Sequence, residues 1–255
     1  MLSLQRELEI GSYQTAWAML HRLRRVLARP GRHRLSGTVE VDETYIGGVE
    51  PGLAGGRAKG KKVLVGVAVG ILQPRGYGRC RMAILPDWSA TSLHSFITDH
   101  IEPGSHVITD GWNAYRGIGR LGYTHEPRNQ SGARRRGEDP GVLLPGVHRV
   151  ASVVKRWLLG THQGSVAPAH LNDYLAEFVF RFNRCSPRSR GMLFYRLLEL
   201  SIGHAPVRYR DIVVDATPKP AKPTPPATRG HPPSLDRPRA KYPWRSSTKL
   251  VRSDG

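Results

Sequence analysis

Two aspartates of this sequence stand in apolar, strand-like segments, where an unpaired acid is unfavourable. Asp42 lies in VEVDETYIGG, and the two-residue alternation of a strand turns Val39, Val41 and Glu43 to the face opposite its own. Asp110 ends the apolar run VITD, a position at which mixed α/β sheets present ligands. Because a buried carboxylate needs a partner and Mg²⁺ prefers oxygen ligands, the two acids are candidates for one divalent-cation site. Two strand acids held by salt bridges would produce the same pattern.

A helix later in the sequence carries a histidine and a lysine in register. In LLPGVHRVASVVKRWLLGTHQG, residues 143–164, a rotation of about 100° per residue gathers the apolar side chains on one side. His148 and Lys155 lie two turns apart on the other side, with Arg149 and Arg156 beside them. Two side chains on one line of a helix can reach the same target. A solvated basic face is the alternative interpretation.

The charge balance indicates a polyanionic partner, most simply nucleic acid. The 255 residues carry 39 Lys and Arg against 20 Asp and Glu, a formal net charge of +19. Residues 216–255 hold nine Lys and Arg and two Asp, so most of the positive charge lies in residues 1–215. The part of the chain that is expected to fold is therefore itself basic.

The apolar content and the cysteines narrow the class of protein further. A hydrophobic content of 39% in a chain of this length can form one good core without disulfides. Cys80 and Cys185 form no CxxC motif, which argues against a zinc ribbon within the chain and fits a reducing compartment. We find no run of about 18 to 20 apolar residues and no signal peptide. We therefore expect a cytoplasmic, nucleoid-associated protein that makes no membrane contact.

The elements that must position these residues follow a β-β-β-α-β order. Three strand-like segments, a helix that begins near Ser89, and a buried strand that ends at Asp110 predict a mixed α/β sheet. The strand segments are TVEVDETYIGG, KKVLVGVAVGIL, RCRMAIL and SHVITD. A long helix in HLNDYLAEFVFRFNR follows the His148 helix and carries apolar residues at core spacing.

The two ends of the chain differ from this central part. Residues 3–28 predict two helices broken at Gly11, the outline of a helix-turn-helix, which we assign to residues 1–30. Its small core is expected to hold Leu4, Leu8, Trp17, Leu20 and Leu23, which leaves Tyr13, Gln14 and Arg22 available to DNA. Two short helices with a basic end are also common without any DNA-binding role. Residues 126–142 predict a loop, and the proline-rich, basic residues 216–255 predict a disordered tail.

Several long motifs together resemble the ISXO2-like transposases of bacterial insertion sequences. The resemblance runs from about Leu4 to Leu200 and rests on VEVDETYIGG, TDGWNAY, GYTH, LPGVHRVASVVKRWLLGTHQG and HLNDYLAEFVFRFNR. It implies a ribonuclease-H-like fold over residues 36–203: a mixed sheet with flanking helices, preceded by the helix-turn-helix and followed by the tail. It also implies a DDE-type phosphoryl transfer on DNA that uses Mg²⁺ or Mn²⁺.

Carried onto this sequence, the resemblance assigns a catalytic triad and a DNA contact. The two acids of the triad fall on Asp42 and Asp110, which are also the expected metal ligands. The third position, normally Glu, falls on His148, and the DNA-contacting basic residue two turns beyond falls on Lys155. Imidazole suits softer metals than Mg²⁺, but the wider family varies this position. We therefore do not interpret His148 as the mark of an inactive site.

Two further departures from the family pattern concern the ends of the motifs. Family members usually carry a zinc ribbon ahead of the helix-turn-helix, and this chain starts too late to hold one, which indicates a misassigned start or a truncated copy. The Arg that commonly follows RFNR is Cys185 here, which removes one phosphate contact.

Three functions are compatible with these observations. The first is an active transposase that binds the terminal inverted repeats as a homo-oligomer on double-stranded DNA and joins the element ends to target DNA. The second is a degenerate copy that binds DNA without catalysis. The third, a nuclease of the resolvase or ribonuclease H type, is disfavoured because such enzymes lack the helix-turn-helix and the Lys155 signature.

Overall fold

The computed structural model describes the larger part of the chain. The described residues are 2–28, 33–47, 62–74, 76–129, 142–162, 168–185 and 192–213, with the single positions 132, 135, 137, 139 and 166. Contacts divide the chain into two units, Met1–Val214 and Asp215–Gly255. The tail predicted for residues 216–255 lies outside the described residues, as does about half of the loop predicted for residues 126–142. The start of that loop was predicted wrongly, because residues 126 and 127 belong to a strand, Thr124–Pro127.

A five-stranded mixed sheet forms the centre of the first unit. Its strands are β1 (Thr38–Ile46), β2 (Val63–Ile71), β3 (Tyr77–Ile84), β4 (His106–Thr109) and β5 (Thr124–Pro127). The strand order is β3-β2-β1-β4-β5. Strands β1, β2 and β3 pair antiparallel, whereas β4 pairs parallel with both β1 and β5. The predicted meander, the following helix and the buried strand before Asp110 are confirmed.

Helices flank the sheet on both faces. The helices are α1 (Leu2–Glu7), α2 (Tyr13–Leu27), α3 (Ala90–His100), α4 (Pro145–His162), α5 (Pro168–Phe182), α6 (Met192–Ile202) and α7 (Tyr209–Ile212). Helix α3 begins where predicted, because the Ser89 hydroxyl accepts a hydrogen bond from the Ser92 amide at 3.2 Å. Among the described helices, none combines the length and the apolar character that a membrane span requires.

The alternation of β1 separates two hydrophobic cores. Val39 and Val41 are buried under α3, in a core that also holds Phe96. On the opposite face, Val67 of β2 and Val150 of α4 belong to a second core under α4 and α5. This mixed sheet with helices on both faces is the ribonuclease-H-like arrangement that the sequence predicts. Side chains of β1 that share the orientation of Asp42 therefore face α4.

The two N-terminal helices pack differently from the small independent core that we expected. Ser12 caps α2 as predicted, since its hydroxyl accepts a hydrogen bond from the Thr15 amide. Leu8, however, is 54% exposed, so its assignment to a core is wrong. Helix α1 has only six residues and none of them is buried. Helix α2 instead packs against α5 and α6, where the Arg24 guanidinium donates to Glu177 at 2.7 Å.

Candidate active site

The pairing of β1 with β4 aligns the two aspartates. Thr38, Val39 and Glu40 pair with residues 106, 107 and 108, a constant offset along both strands. The same offset, continued past the end of β4, sets Asp110 opposite Asp42. Adjacent strands lie about 4.8 Å apart and alternate their side chains in step. The two acids therefore come from neighbouring parallel strands at the same end of the sheet.

Each aspartate is oriented by a backbone amide close to it in sequence. One carboxylate oxygen of Asp42, Oδ1, accepts a hydrogen bond from the Glu43 amide at 2.9 Å. Oδ1 of Asp110 accepts one from the Trp112 amide at 2.8 Å. The Asp42 side chain is only 15% exposed. These local hydrogen bonds restrict the rotation of both carboxylates.

A buried tyrosine is sensitive to the negative charge at this end of the sheet. The hydroxyl of Tyr115 donates a hydrogen bond to Oε1 of Glu43, the acid that strand alternation turns away from Asp42. Burial raises the pKa of Tyr115 well above its ordinary value, and the charges of Glu43, Asp42 and Asp110 raise it further. Three carboxylates thus act on one phenol, which shows that negative charge is concentrated here.

The helix α4 brings His148 to Asp42. Nε2 of His148 lies 3.9 Å from Oδ2 of Asp42, and the histidine side chain is 40% exposed. The apolar face of α4, including Val147, Val150 and Val154, is buried against β2 and α5. This packing fixes the rotation of the helix, so His148 lies at its edge, between core and solvent.

Lys155 lies on the exposed side of the same helix, within electrostatic range of Asp42. Partial desolvation of its amine lowers the pKa of Lys155, the charge of Asp42 acts to raise it, and Lys62 adds to the lowering. Arg149 and Arg156 are exposed on α4 as well. The helix therefore presents a histidine next to the acids and a row of cations beyond it.

Glu40 is a residue of this region that the sequence did not single out. Two residues before Asp42 on the same face of β1, it is only 3% exposed. Its Oε2 accepts hydrogen bonds from the amides of Gly146 and Val147, at 2.7 and 3.0 Å. Burial raises the pKa of Glu40, while these two hydrogen bonds and the charge of Arg128 lower it. Glu40 thus anchors the N-terminus of α4, where a carboxylate also complements the helix dipole.

Gly146 allows this close approach between strand and helix. A Cβ at position 146 would lie 2.9 Å from Oε2 of Glu40, 3.0 Å from Cδ1 of Ile71 and 3.1 Å from Cδ1 of Tyr77. The signal in the sequence was an acid on the strand face of Asp42, together with a glycine at the start of the His148 helix. Neither of these two signals predicts that the acid and the glycine lie in contact.

The residues predicted to contact DNA through the N-terminal helices have different environments. Tyr13 is 49% exposed, and Gln14 is exposed beside it at the start of α2. Nε of Arg22, in contrast, donates a hydrogen bond to the carbonyl of Val207 at 3.0 Å. This group of Arg22 already has a partner within the chain, while the contact of Arg22 with DNA stays a prediction.

The donor atoms at the end of β1 and β4 fit a hard divalent cation. Asp42 and Asp110 offer carboxylate oxygens, which Mg²⁺ and Mn²⁺ prefer. Burial is the main cause of the raised pKa of Tyr115, and the charges of Glu43, Asp42 and Asp110 add to it, charges that a cation would balance. His148 adds a nitrogen donor within the same small region. The two carboxylates are therefore compatible with a hard divalent cation.

Comparison with known proteins identifies the domain that holds these residues. The family model described as the ISXO2-like transposase domain matches residues 34–183, more than half of the chain. The matched range contains Asp42, Asp110, His148 and Lys155, whereas α1, α2, α6 and α7 lie outside it. A search of curated proteins gave no match. The family is one of DNA-cleaving transposases that normally use a divalent metal. The chain therefore belongs to the ISXO2-like transposase domain family.

Proposed function

We propose that the protein is the transposase of a bacterial insertion sequence, which binds the terminal inverted repeats and catalyses strand cleavage and transfer. The observation that carries this proposal is the approach of His148 Nε2 to within 3.9 Å of Asp42 Oδ2. The approach occurs beside the position that the β1–β4 register assigns to Asp110. The contact and the register together support a DDE-type centre of Asp42, Asp110 and His148.

In this proposal Asp42 and Asp110 hold Mg²⁺ or Mn²⁺ through their carboxylate oxygens. Such an ion supplies charge that stabilises the attacking and leaving oxygens of an in-line displacement at phosphorus. The backbone amides of Glu43 and Trp112 keep the two carboxylates in place for this role. His148, at the third position, orients the scissile phosphate or the attacking hydroxyl from the side of α4.

The DNA backbone is bound by the cations of α4 in the same proposal. The exposed side of the helix that carries His148 also carries Lys155, Arg149 and Arg156. These cations can bind phosphates next to the scissile bond. Tyr13 and Gln14, which are exposed at the N-terminus of α2, contact the inverted repeat in this proposal. Two element ends must be joined, so we propose that a homo-oligomer assembles on the DNA.

The proposal is tested with the DNA that flanks the gene of this protein. A labelled duplex that carries one inverted repeat is incubated with the full chain in Mg²⁺, with a supercoiled plasmid as target. We expect cleavage that exposes a 3′-hydroxyl at the element boundary, followed by joining of that end to the plasmid. Tight binding to the duplex without cleavage in either Mg²⁺ or Mn²⁺ would instead support the degenerate, DNA-binding copy.

Replacement of Lys155 tests the proposed phosphate contact. Binding to DNA is expected to weaken with salt, log K falling by roughly 0.9 per neutralised phosphate for each unit of log salt. Lys155→Ala should reduce the slope of log K against log salt by about 1, because one phosphate contact is lost. The measurement is fluorescence anisotropy over a series of KCl concentrations. Arg120→Ala, an exposed cation outside α4, is the matched control; equal slopes for both variants would argue for a solvated basic face.

Replacement of His148 separates the active transposase from the degenerate copy. His148→Ala should lower strand transfer strongly, on the order of 100-fold, since it removes the third group of the centre. His148→Glu restores the carboxylate common in the family and should keep or raise activity in Mg²⁺. Both variants are assayed for cleavage and for DNA affinity, which should stay close to that of the unmodified chain. Wild-type strand transfer by the alanine variant in Mg²⁺ and in Mn²⁺ would exclude a catalytic role for His148.

A further inference from the structure

A second group of potential metal ligands lies far from Asp42, at the contact between α2 and α5. His21 of α2 is completely buried, and neither of its ring nitrogens has a hydrogen-bond partner among the described residues. Nδ1 of His170, on α5, also lacks such a partner within this part of the chain. A buried polar group without a hydrogen bond is destabilising. The ring nitrogens of His21 and Nδ1 of His170 therefore need a partner that the described side chains do not supply.

The geometry of these groups points toward one common centre. His21, His170 and Asp173 each offer one ligand atom, and the three atoms lie within 4.8 Å of one another. Nδ1 of His21 is 4.0 Å from Oδ2 of Asp173, and the rings of His21 and His170 are 4.6 Å apart between centroids. Ligands of a tetrahedral Zn²⁺ lie roughly 3.3 Å apart, given metal–ligand distances of about 2.0 Å. Small side-chain rotations would bring the three atoms to that spacing.

Sequence spacing and charge favour the same conclusion. His170 and Asp173 are three residues apart on α5, so their side chains leave the same face of the helix. Nε of Arg25 lies 3.6 Å from Oδ2 of Asp173 and can hold the carboxylate in place from outside.

We propose that His21, His170 and Asp173 bind one transition-metal ion, most simply Zn²⁺, which clamps α2 to α5, with water completing the coordination. Two imidazoles and one carboxylate suit Zn²⁺, whereas Mg²⁺ prefers oxygen ligands, so this site and the pair of aspartates select different metals. His21 lies outside the matched range 34–183 and the other two ligands lie inside it. The ion thus fixes the N-terminal helices to the transposase domain.

The test measures metal binding directly and does not depend on DNA cleavage. The untagged full chain carrying Asp42→Asn, which weakens binding at the other centre, is stripped with a chelator and dialysed. Zn²⁺ is then titrated calorimetrically, and Co²⁺ is added as a spectroscopic probe of coordination. We expect one Zn²⁺ per chain that excess Mg²⁺ does not displace, and visible Co²⁺ bands of a tetrahedral nitrogen and oxygen site.

Variants of two partly exposed histidines make the test specific. His170→Gln in the same background should weaken Zn²⁺ affinity at least about tenfold, and Zn²⁺ should no longer raise its melting temperature. His94→Gln, a histidine on α3 with similar exposure, is the matched control and should bind as the parent does. Because His170 is only partly buried, its variant is expected to fold, which circular dichroism checks. Absence of Zn²⁺ binding, or equal affinities of the two variants, would overturn the proposal.

Discussion

Asparagine in place of Asp42 or of Asp110 should abolish cleavage of element-end DNA, with a rate loss on the order of 1000-fold or more. The substitution keeps the shape of the side chain and removes the charge that holds a divalent cation. Oδ1 of each residue accepts a backbone hydrogen bond, which the amide oxygen of asparagine can still accept. We therefore expect the fold and the affinity for DNA to remain nearly unchanged. Cleavage is measured on a labelled inverted-repeat duplex, and affinity by anisotropy on the same duplex.

Asp99→Asn is the matched control for this prediction. Asp99 is an exposed acid on α3, on the face of the sheet opposite α4. Its replacement should leave both the cleavage rate and the affinity as they are. If Asp42→Asn lowered affinity as much as cleavage, the proposed division between acids that hold the metal and cations that bind DNA would be refuted.

Glu40→Ala should cause a large loss of stability. It leaves the amides of Gly146 and Val147 without their acceptor and opens a cavity under the start of α4. Unpaired buried amides and a cavity together suggest a decrease of about 2–5 kcal/mol in the free energy of unfolding. Cleavage should fall as well, because α4 carries His148. The measurements are urea unfolding at equilibrium and the cleavage assay.

Two further variants separate the anchoring role of Glu40 from a general effect of losing an acid. Glu40→Gln keeps one carbonyl oxygen for the two amides, so it should recover a large part of the stability and of the cleavage. Glu102→Ala removes an exposed glutamate, 51% accessible, and should change the unfolding free energy by no more than about 0.5 kcal/mol. A loss for Glu40→Ala as small as that for Glu102→Ala would contradict the anchoring role.

Most of the sheet could be predicted because its strands have a strong local pattern. β1 and β2 alternate or run continuously apolar, and Ser89 marks the start of α3 by ordinary capping. The strand β5, THEP, has no apolar alternation, and its conformation depends on pairing with β4. The sequence predicts a helix at α1. It does not predict the exposure of Leu8, because the packing of α2 on α5 cannot be seen in the sequence. Such contacts join segments about 150 residues apart.

The candidate site also has a part that the sequence predicts and a part that it does not. Paired residues of β1 and β4 have a constant offset in sequence number, and this offset equals the separation of the two aspartates. Acids at the ends of strands in a mixed sheet could therefore be predicted to converge. The anchoring of α4 by Glu40 could not, since its partners follow 106 and 107 residues later in the chain. His21 presents the same difficulty. In the sequence it is one polar residue of an amphipathic helix, and only the packing on α5 brings it to His170 and Asp173.

The dependence of α4 on a distant strand residue has a consequence during protein synthesis. Asp42 and Asp110 leave the ribosome before the segment with His148, and the strands that carry them can pair while that segment is still being made. Glu40 is therefore synthesised before its hydrogen-bond partners, the amides at the start of α4, which are translated about a hundred codons later. A chain that stops before residue 145 would contain both acids but neither the third residue nor the cations beyond it. On the proposed mechanism, abortive translation products are therefore unable to nick the DNA of the cell that makes them.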